Sequence, residues 1–198
     1  MLDKSVPYID VIMHRPPFQD IPESPLPAGH RFVLYKPGDE KYWAETEASV
    51  LEFPSAVDAL LYFQKTFLPF GSELERRCLF IENEKGEKVA TAIAWWAYSG
   101  IRRDPWLDWI SVRPDCQGQG MGKAIVGRVV QLSIDIEGDR DLYLHTQTWS
   151  YRAIGIYKKF GFHVTDVKGL RGYPNTRYAE AVAMLDELSK KRQSPPPA

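Results

Sequence analysis

The chain has 198 residues, 44% hydrophobic and 26% charged, which fits one globular domain with a sizeable core. A net charge of −1 offers no overall field for nucleic acid or an anionic membrane surface, and no run nears the ~20 apolar residues of a membrane span, so neither partner is expected. The two cysteines, Cys78 and Cys116, stand in no CxxC or metal-ligand spacing, so no metal is expected and free thiols in a reducing compartment are the simplest reading.

Residues 1–29 hold six prolines and read as an extended N-terminal arm, with one short strand at "YIDVIM". The arm lacks the apolar core of a secretory signal, which with the thiols gives a cytoplasmic expectation. A single domain is expected over 30–192, and the tail 193–198, "QSPPPA", is expected to be disordered. "HRFVLYKP" reads as a strand, followed by a helix capped by Asp39. Val57, Leu60, Leu61, Phe63 and Phe67 recur at helical spacing. Strands at 77–82 and 88–97 flank the turn "NEKGE" as a hairpin, and "WLDWISVRP" is the next strand.

A glycine-rich turn, "QGQGMGK", leads into a helix whose apolar face carries Met121, Ile125, Val129, Leu132 and Ile136, with Gly138 as its cap. "LYLHTQT" is a strand, and "SYRAIGIYKKFG" is a helix presenting Ala153, Ile156, Tyr157 and Phe160. "FHVTDV" is a strand, and Tyr178, Val182, Leu185 and Leu188 mark a C-terminal helix. Hairpins early and helix-separated strands late predict an α/β (α+β) fold with a mixed sheet.

The strand, glycine turn and helix start are together an anion site, because first-turn amides lack intrahelical partners and the dipole's positive end faces the ligand. By itself the turn is equally an ordinary tight connection. A Walker loop would need Ser or Thr after Lys123, where Ala124 stands. A dinucleotide fingerprint would need its acidic residue at the end of the following strand, whereas Asp139 and Asp141 precede that strand.

"VRPDCQGQGMG" fits the pattern Val-x-Pro-x-x-[Gln/Arg]-x-x-Gly-x-[Gly/Ala], and "SYRAIGIYKKFGF" is similar to an "NxxAxxxYxxxGF" helix. Together they resemble the acetyl-CoA loop and following helix of the GNAT superfamily of N-acetyltransferases. That resemblance implies a centrally splayed mixed sheet flanked by helices, with the arm and C-terminal helix as additions. It implies transfer of an acetyl group from acetyl-CoA to a primary amine by direct attack in a ternary complex. A non-catalytic acyl-CoA-binding module and a transferase of longer acyl groups are the alternatives.

The resemblance assigns the pyrophosphate to Gln117, Gly118, Gln119, Gly120, Met121, Gly122 and Lys123, and the pantetheine to the strand at Ile110 and Val112. Ser150 stands where the family has asparagine. Tyr157 is expected to protonate the leaving thiolate, a role a phenol can fill. His145 is the first candidate for the base that takes the amine's proton, since it titrates in the useful range. Asp108 is second, and Glu45 and Glu47 are third. Trp95, Trp96, Trp106, Trp109 and Trp149 are expected around the acceptor cleft. The acceptor, small molecule or peptide, stays open, as does a homodimer contact through the terminal segments.

Overall fold

A computed structural model describes residues 2–193, so the tail expected at 193–198 lies outside the described residues apart from Gln193, which ends the last helix. The strands are β1 (Asp10–Arg15), β2 (His30–Leu34), β3 (Cys78–Asn83), β4 (Lys88–Ser99), β5 (Arg102–Val112), β6 (Leu142–Gln147) and β7 (His163–Val164). The helices are α1 (Glu40–Ser49), α2 (Ala56–Thr66), α3 (Gly71–Arg77), α4 (Met121–Glu137), α5 (Tyr151–Lys159) and α6 (Tyr178–Gln193). The strands form one sheet in the order β2-β3-β4-β5-β6-β1-β7, antiparallel throughout except for the β5–β6 pair.

Strand alternation builds a core on each face of this sheet. In β4, Ala90, Ala92 and Ala94 pack with Ile125 and Val129 of α4, while Ile93 and Trp95 pack with Trp43 of α1 and Phe63 of α2. The alanines are small enough to let α4 lie close on the strand. The expected apolar face of α4 is buried there, and Gly138 at φ +78° ends the helix as anticipated.

Four expectations are revised. The short strand expected at "YIDVIM" forms as β1, but instead of belonging to an arm it lies inside the sheet between β6 and β7, pairing from Asp10↔Gln147 to Arg15↔Leu142. It belongs there because both of its faces are apolar: Val11 and Met13 join the core under α4, and Ile12 joins Trp106 and Tyr143. The strand expected at 162–167 shrinks to His163–Val164, and the position beside β6 is filled by β1 rather than by a later strand. Asp39 does not cap α1 with its side chain; its carboxylate accepts from the Lys36 amide at 2.9 Å and pairs with Lys88 at 3.0 Å. Helix α2 also ends sooner than expected, at a turn containing Pro69, and α3 follows as a separate helix.

A buried ion-pair network ties these layers together. Arg77 Nη2 lies 2.7 Å from Glu137 Oε1, and its Nη1 donates to the Ala94 carbonyl at 3.0 Å. Arg103 forks onto the same carboxylate at 2.7 and 2.9 Å. Hydrogen bonds from Arg103 and Arg77 overcome desolvation and hold the Glu137 carboxyl down at about 2. No described helix is long and apolar enough to cross a membrane.

Candidate active site

Strands β5 and β6 run parallel and pair only at Trp106↔Tyr143 and Leu107↔Leu144. Beyond that point β5 continues to Val112 and β6 to Gln147 without pairing with each other, so the sheet splays and the β5 edge at Ile110 and Val112 that faces β6 is open. The wedge ends at the glycine turn. Gly118 and Gly120 sit at φ +82° and +90°, where an L side chain is strained, although a Cβ at either would meet nothing within 4 Å. The constraint is therefore backbone conformation, and the surface of the turn is clear. Gly122 does a different job: a Cβ there would come 3.2 Å from Ile156, so its absence lets α4 approach α5.

As in any helix start, the first amides of α4, those of Met121 and Gly122, lack intrahelical acceptors. The Met121 side chain is buried, whereas Gln117, Gln119 and Lys123 are exposed. Gln117 turns its side-chain amide back onto the Val112 carbonyl at 2.8 Å, tying the turn to the open edge. Ser150 stands at the start of α5 with no side-chain cap hydrogen bond.

A β-bulge shapes one face of the wedge. Three steps on β5, from Asp108 to Ser111, oppose two on β4, from Ile93 to Thr91, and Trp109 takes φ +52°. As a result Trp109 and Ser111 both reach the α1–α2 side. Trp109 stacks on Phe53 at 5.2 Å and meets Trp43 and Tyr62 edge-on, while Ser111 Oγ donates to Glu47 Oε2 at 2.9 Å. Glu47 is fully buried and its Oε1 has no partner; burial pushes its carboxyl up to about 8 against the Ser111 hydrogen bond. Glu45 is exposed.

Asp108 and His145 alternate with the core residues Leu107 and Leu144 and so lie on the sheet face opposite α4, whereas Tyr157 reaches the wedge from the α4 side. Asp108, buried, accepts from Arg171 Nη1 at 2.6 Å through Oδ1, and its Oδ2 has no partner. Burial raises its carboxyl while Arg171 opposes the rise. His145 Nε2 lies 2.8 Å from Asp10 Oδ1, and its ring stacks on Tyr173 at 4.1 Å. Desolvation lowers the imidazole, and Asp10 works against that. Tyr157 is buried in the core beside Phe162, and burial, with the Glu47 and Glu52 charges, drives its phenol far up. Gln147, at the outer end of β6, donates to Glu52 at 3.1 Å.

The tryptophans do not form one wall. Trp109 alone of the five belongs to the cleft. Trp95 and Trp96 stack on each other beneath Phe70, Trp106 is buried under Arg171 and Tyr143, and Trp149 meets Tyr8 and donates to the Val6 carbonyl. Their strands alternate faces, so a shared sequence neighbourhood does not make a shared surface. Sequence reasoning missed Asp10, Phe53, Tyr62, Arg171 and Tyr173 as site residues. Asp10 arrives on β1, and Arg171 and Tyr173 arrive on the segment after β7; no local pattern signals either placement.

Comparison with known proteins agrees with this geometry. A family model described as "Acetyltransferase (GNAT) family" matches residues 40–162. Thialysine N-epsilon-acetyltransferase of Bos taurus is 31% identical over 83 residues, covering 41% of this chain and 48% of the relative. The Sus scrofa protein of the same name is 30% identical over 88 residues, covering 44% and 49%. The matches thus span about half the length of these relatives. Among solved structures, a GCN5-related N-acetyltransferase from Sphaerobacter thermophilus superposes with a TM-score of 0.62 at 21% identity, over 79% of this chain and 48% of that one. A GNAT-family acetyltransferase from Colwellia psychrerythraea gives 0.59 at 13% identity, over 81% and 55%.

Proposed function

Because the chain belongs to the acetyltransferase (GNAT) family, we propose that it transfers an acetyl group from acetyl-CoA to a primary amine by direct attack in a ternary complex. One observation carries the reading: the splayed β5 edge runs into a clear, left-handed glycine turn at the start of α4, next to a helix that buries Tyr157.

The residues present fit the cosubstrate. The amides and side chains from Gln117 through Lys123, with Gly118, Gln119, Gly120, Met121 and Gly122 between them, take the pyrophosphate at a helix N-terminus. Ile110 and Val112 offer an unpaired strand edge to the pantetheine, and Ser150 offers one hydroxyl. Acetyl-CoA, when bound, supplies the thioester whose acetyl group moves. Tyr157, held protonated by its burial, gives its proton to the departing sulfur. His145 takes the amine's proton, directly or through water. Trp109, Phe53 and Tyr62 give the acceptor an aromatic wall, and the unpartnered oxygens of Asp108 and Glu47 await a cationic or hydrogen-bonding group. The relatives named for thialysine place amines on flexible alkyl stems among the first acceptors to test.

The test is thiol release from acetyl-CoA with a panel of diamines, amino acids including thialysine, and peptides. Amine-dependent release supports the reading. Acetyl-CoA binding without release for any amine makes the chain a non-catalytic acyl-CoA-binding module. Preference for a longer acyl-CoA in competition makes it a transferase of that group.

A further inference from the structure

We propose that Asp10, carried by the N-terminal strand β1, is the positioning residue that orients the His145 imidazole for proton transfer. The inference rests on the acetyl-transfer reading and adds to it a residue that only the insertion of β1 beside β6 brings to the site.

The geometry follows from the register. His145 lies opposite Ile12, and Asp10 opposite Gln147, so Asp10 and His145 are diagonal neighbours on one face of an antiparallel pair. That places Asp10 Oδ1 2.8 Å from His145 Nε2. Tyr8 OH donates to the same oxygen at 2.9 Å, and the Tyr173 ring lies 4.1 Å away against the imidazole at 13°. The ring is thus held at its edge and across its face. With Nε2–H donated to a carboxylate, Nδ1 carries the free lone pair.

The charged groups facing the imidazole are Asp10 from β1, Asp108 from β5 and Arg171 from the segment after β7. Asp108 and Arg171 are paired with each other at 2.6 Å, which leaves Asp10 as the anion directly on the ring. In the reaction the amine's lone pair forms the new C–N bond and the C–S bond breaks. The amine's proton goes to Nδ1, and the thiolate takes the Tyr157 proton. Asp10 stabilises the imidazolium so formed.

The test uses the full chain with 15N-labelled histidine, the His145 signal being assigned by its loss in His145→Gln. The wild type is expected to show the Nε2-protonated tautomer. Asp10→Asn removes the adjacent anion and is expected to lower the His145 pKa further. The same variant is expected to lower kcat about tenfold, part of what a general base contributes, with the KM for acetyl-CoA unchanged. The acid limb of kcat/KM then moves to lower pH, and Asp10→Glu restores it. Asp10→Asn added to His145→Gln is expected to cost nothing further. An unchanged tautomer and acid limb in Asp10→Asn, or additive losses in the double variant, would overturn the proposal. A wild-type chain that shows the tautomer yet acetylates no amine overturns the acetyl-transfer reading, and the catalytic role of Asp10 with it.

Discussion

Ser111 Oγ donates to Glu47 Oε2 at 2.9 Å, joining strand β5 to a carboxyl group on α1 whose other oxygen has no partner. One hydrogen bond does not offset the desolvation of a fully buried carboxylate, so the group is held up at about 8 against an ordinary 4.5. From pH ~4.5 to ~8 the unfolded chain has lost a proton that the folded chain retains. Stability therefore falls as pH rises across that window. Glu47→Gln, which cannot ionise, is expected to gain Tm relative to the wild type on going from pH 5 to pH 8, at ~2–4 °C per kcal/mol for a chain of this size. A Tm difference that is flat in pH, measured by calorimetry, would remove the buried ionisation.

Tyr157 belongs to the core cluster, with Phe162 edge-on to its ring. Tyr157→Phe keeps that packing and deletes only the hydroxyl proposed to donate the proton. Turnover is expected to fall ~10²-fold, the scale of one general acid, with acetyl-CoA affinity unchanged by calorimetry. Because the phenol is held far above its usual range, wild-type activity is not expected to fall off between pH 8 and 10 through loss of this proton. Equal turnover in the phenylalanine variant would leave Tyr157 a packing residue.

What could be read from the chain was what the chain keeps local. The glycine turn, the face of α4 and the start of α5 each lie within one stretch of sequence, and the structure places them as spacing and resemblance implied. The splay itself followed from the resemblance alone, since periodicity carries no information on where two strands part. The left-handed conformation of Trp109 had no signal, because a bulky residue there runs against the preference for glycine. Asp10 and Arg171 come to the site from opposite ends of the chain. Asp10 is placed by the pairing of β1 with β6, and Arg171 is held by Ser99 of β4 and Asp108 of β5.

Gly120 ends the turn at φ +90° as the N-cap of α4, with clear space where a Cβ would go. Gly120→Ala adds only conformational strain, ~1–2 kcal/mol for a left-handed residue, and is expected to lower Tm modestly while still binding acetyl-CoA. Gly120→Glu adds a negative charge where the pyrophosphate is proposed to sit, and is expected to abolish binding. Normal affinity of the glutamate variant by calorimetry would move the cosubstrate away from this turn.

Glu137 offers a test of the scaffold that leaves the cleft untouched. Its carboxylate receives the Arg103 fork and buried Arg77, and is held down at about 2. A lowered folded-state value contributes stability that is present above pH ~4.5 and is lost as pH falls toward 2. Glu137→Gln leaves Arg77 buried with its charge balanced only by Glu73 at the edge of the network. Breaking a buried pair from one side costs about 3–5 kcal/mol, or roughly 10 °C in Tm. The variant is therefore expected to melt lower at pH 7 and to lose part of the wild type's steep acid transition between pH 4.5 and 2. Circular dichroism during acid titration measures both. If the two proteins keep the same neutral Tm and the same acid profile, the network is not what holds α3 and β5 to the end of α4.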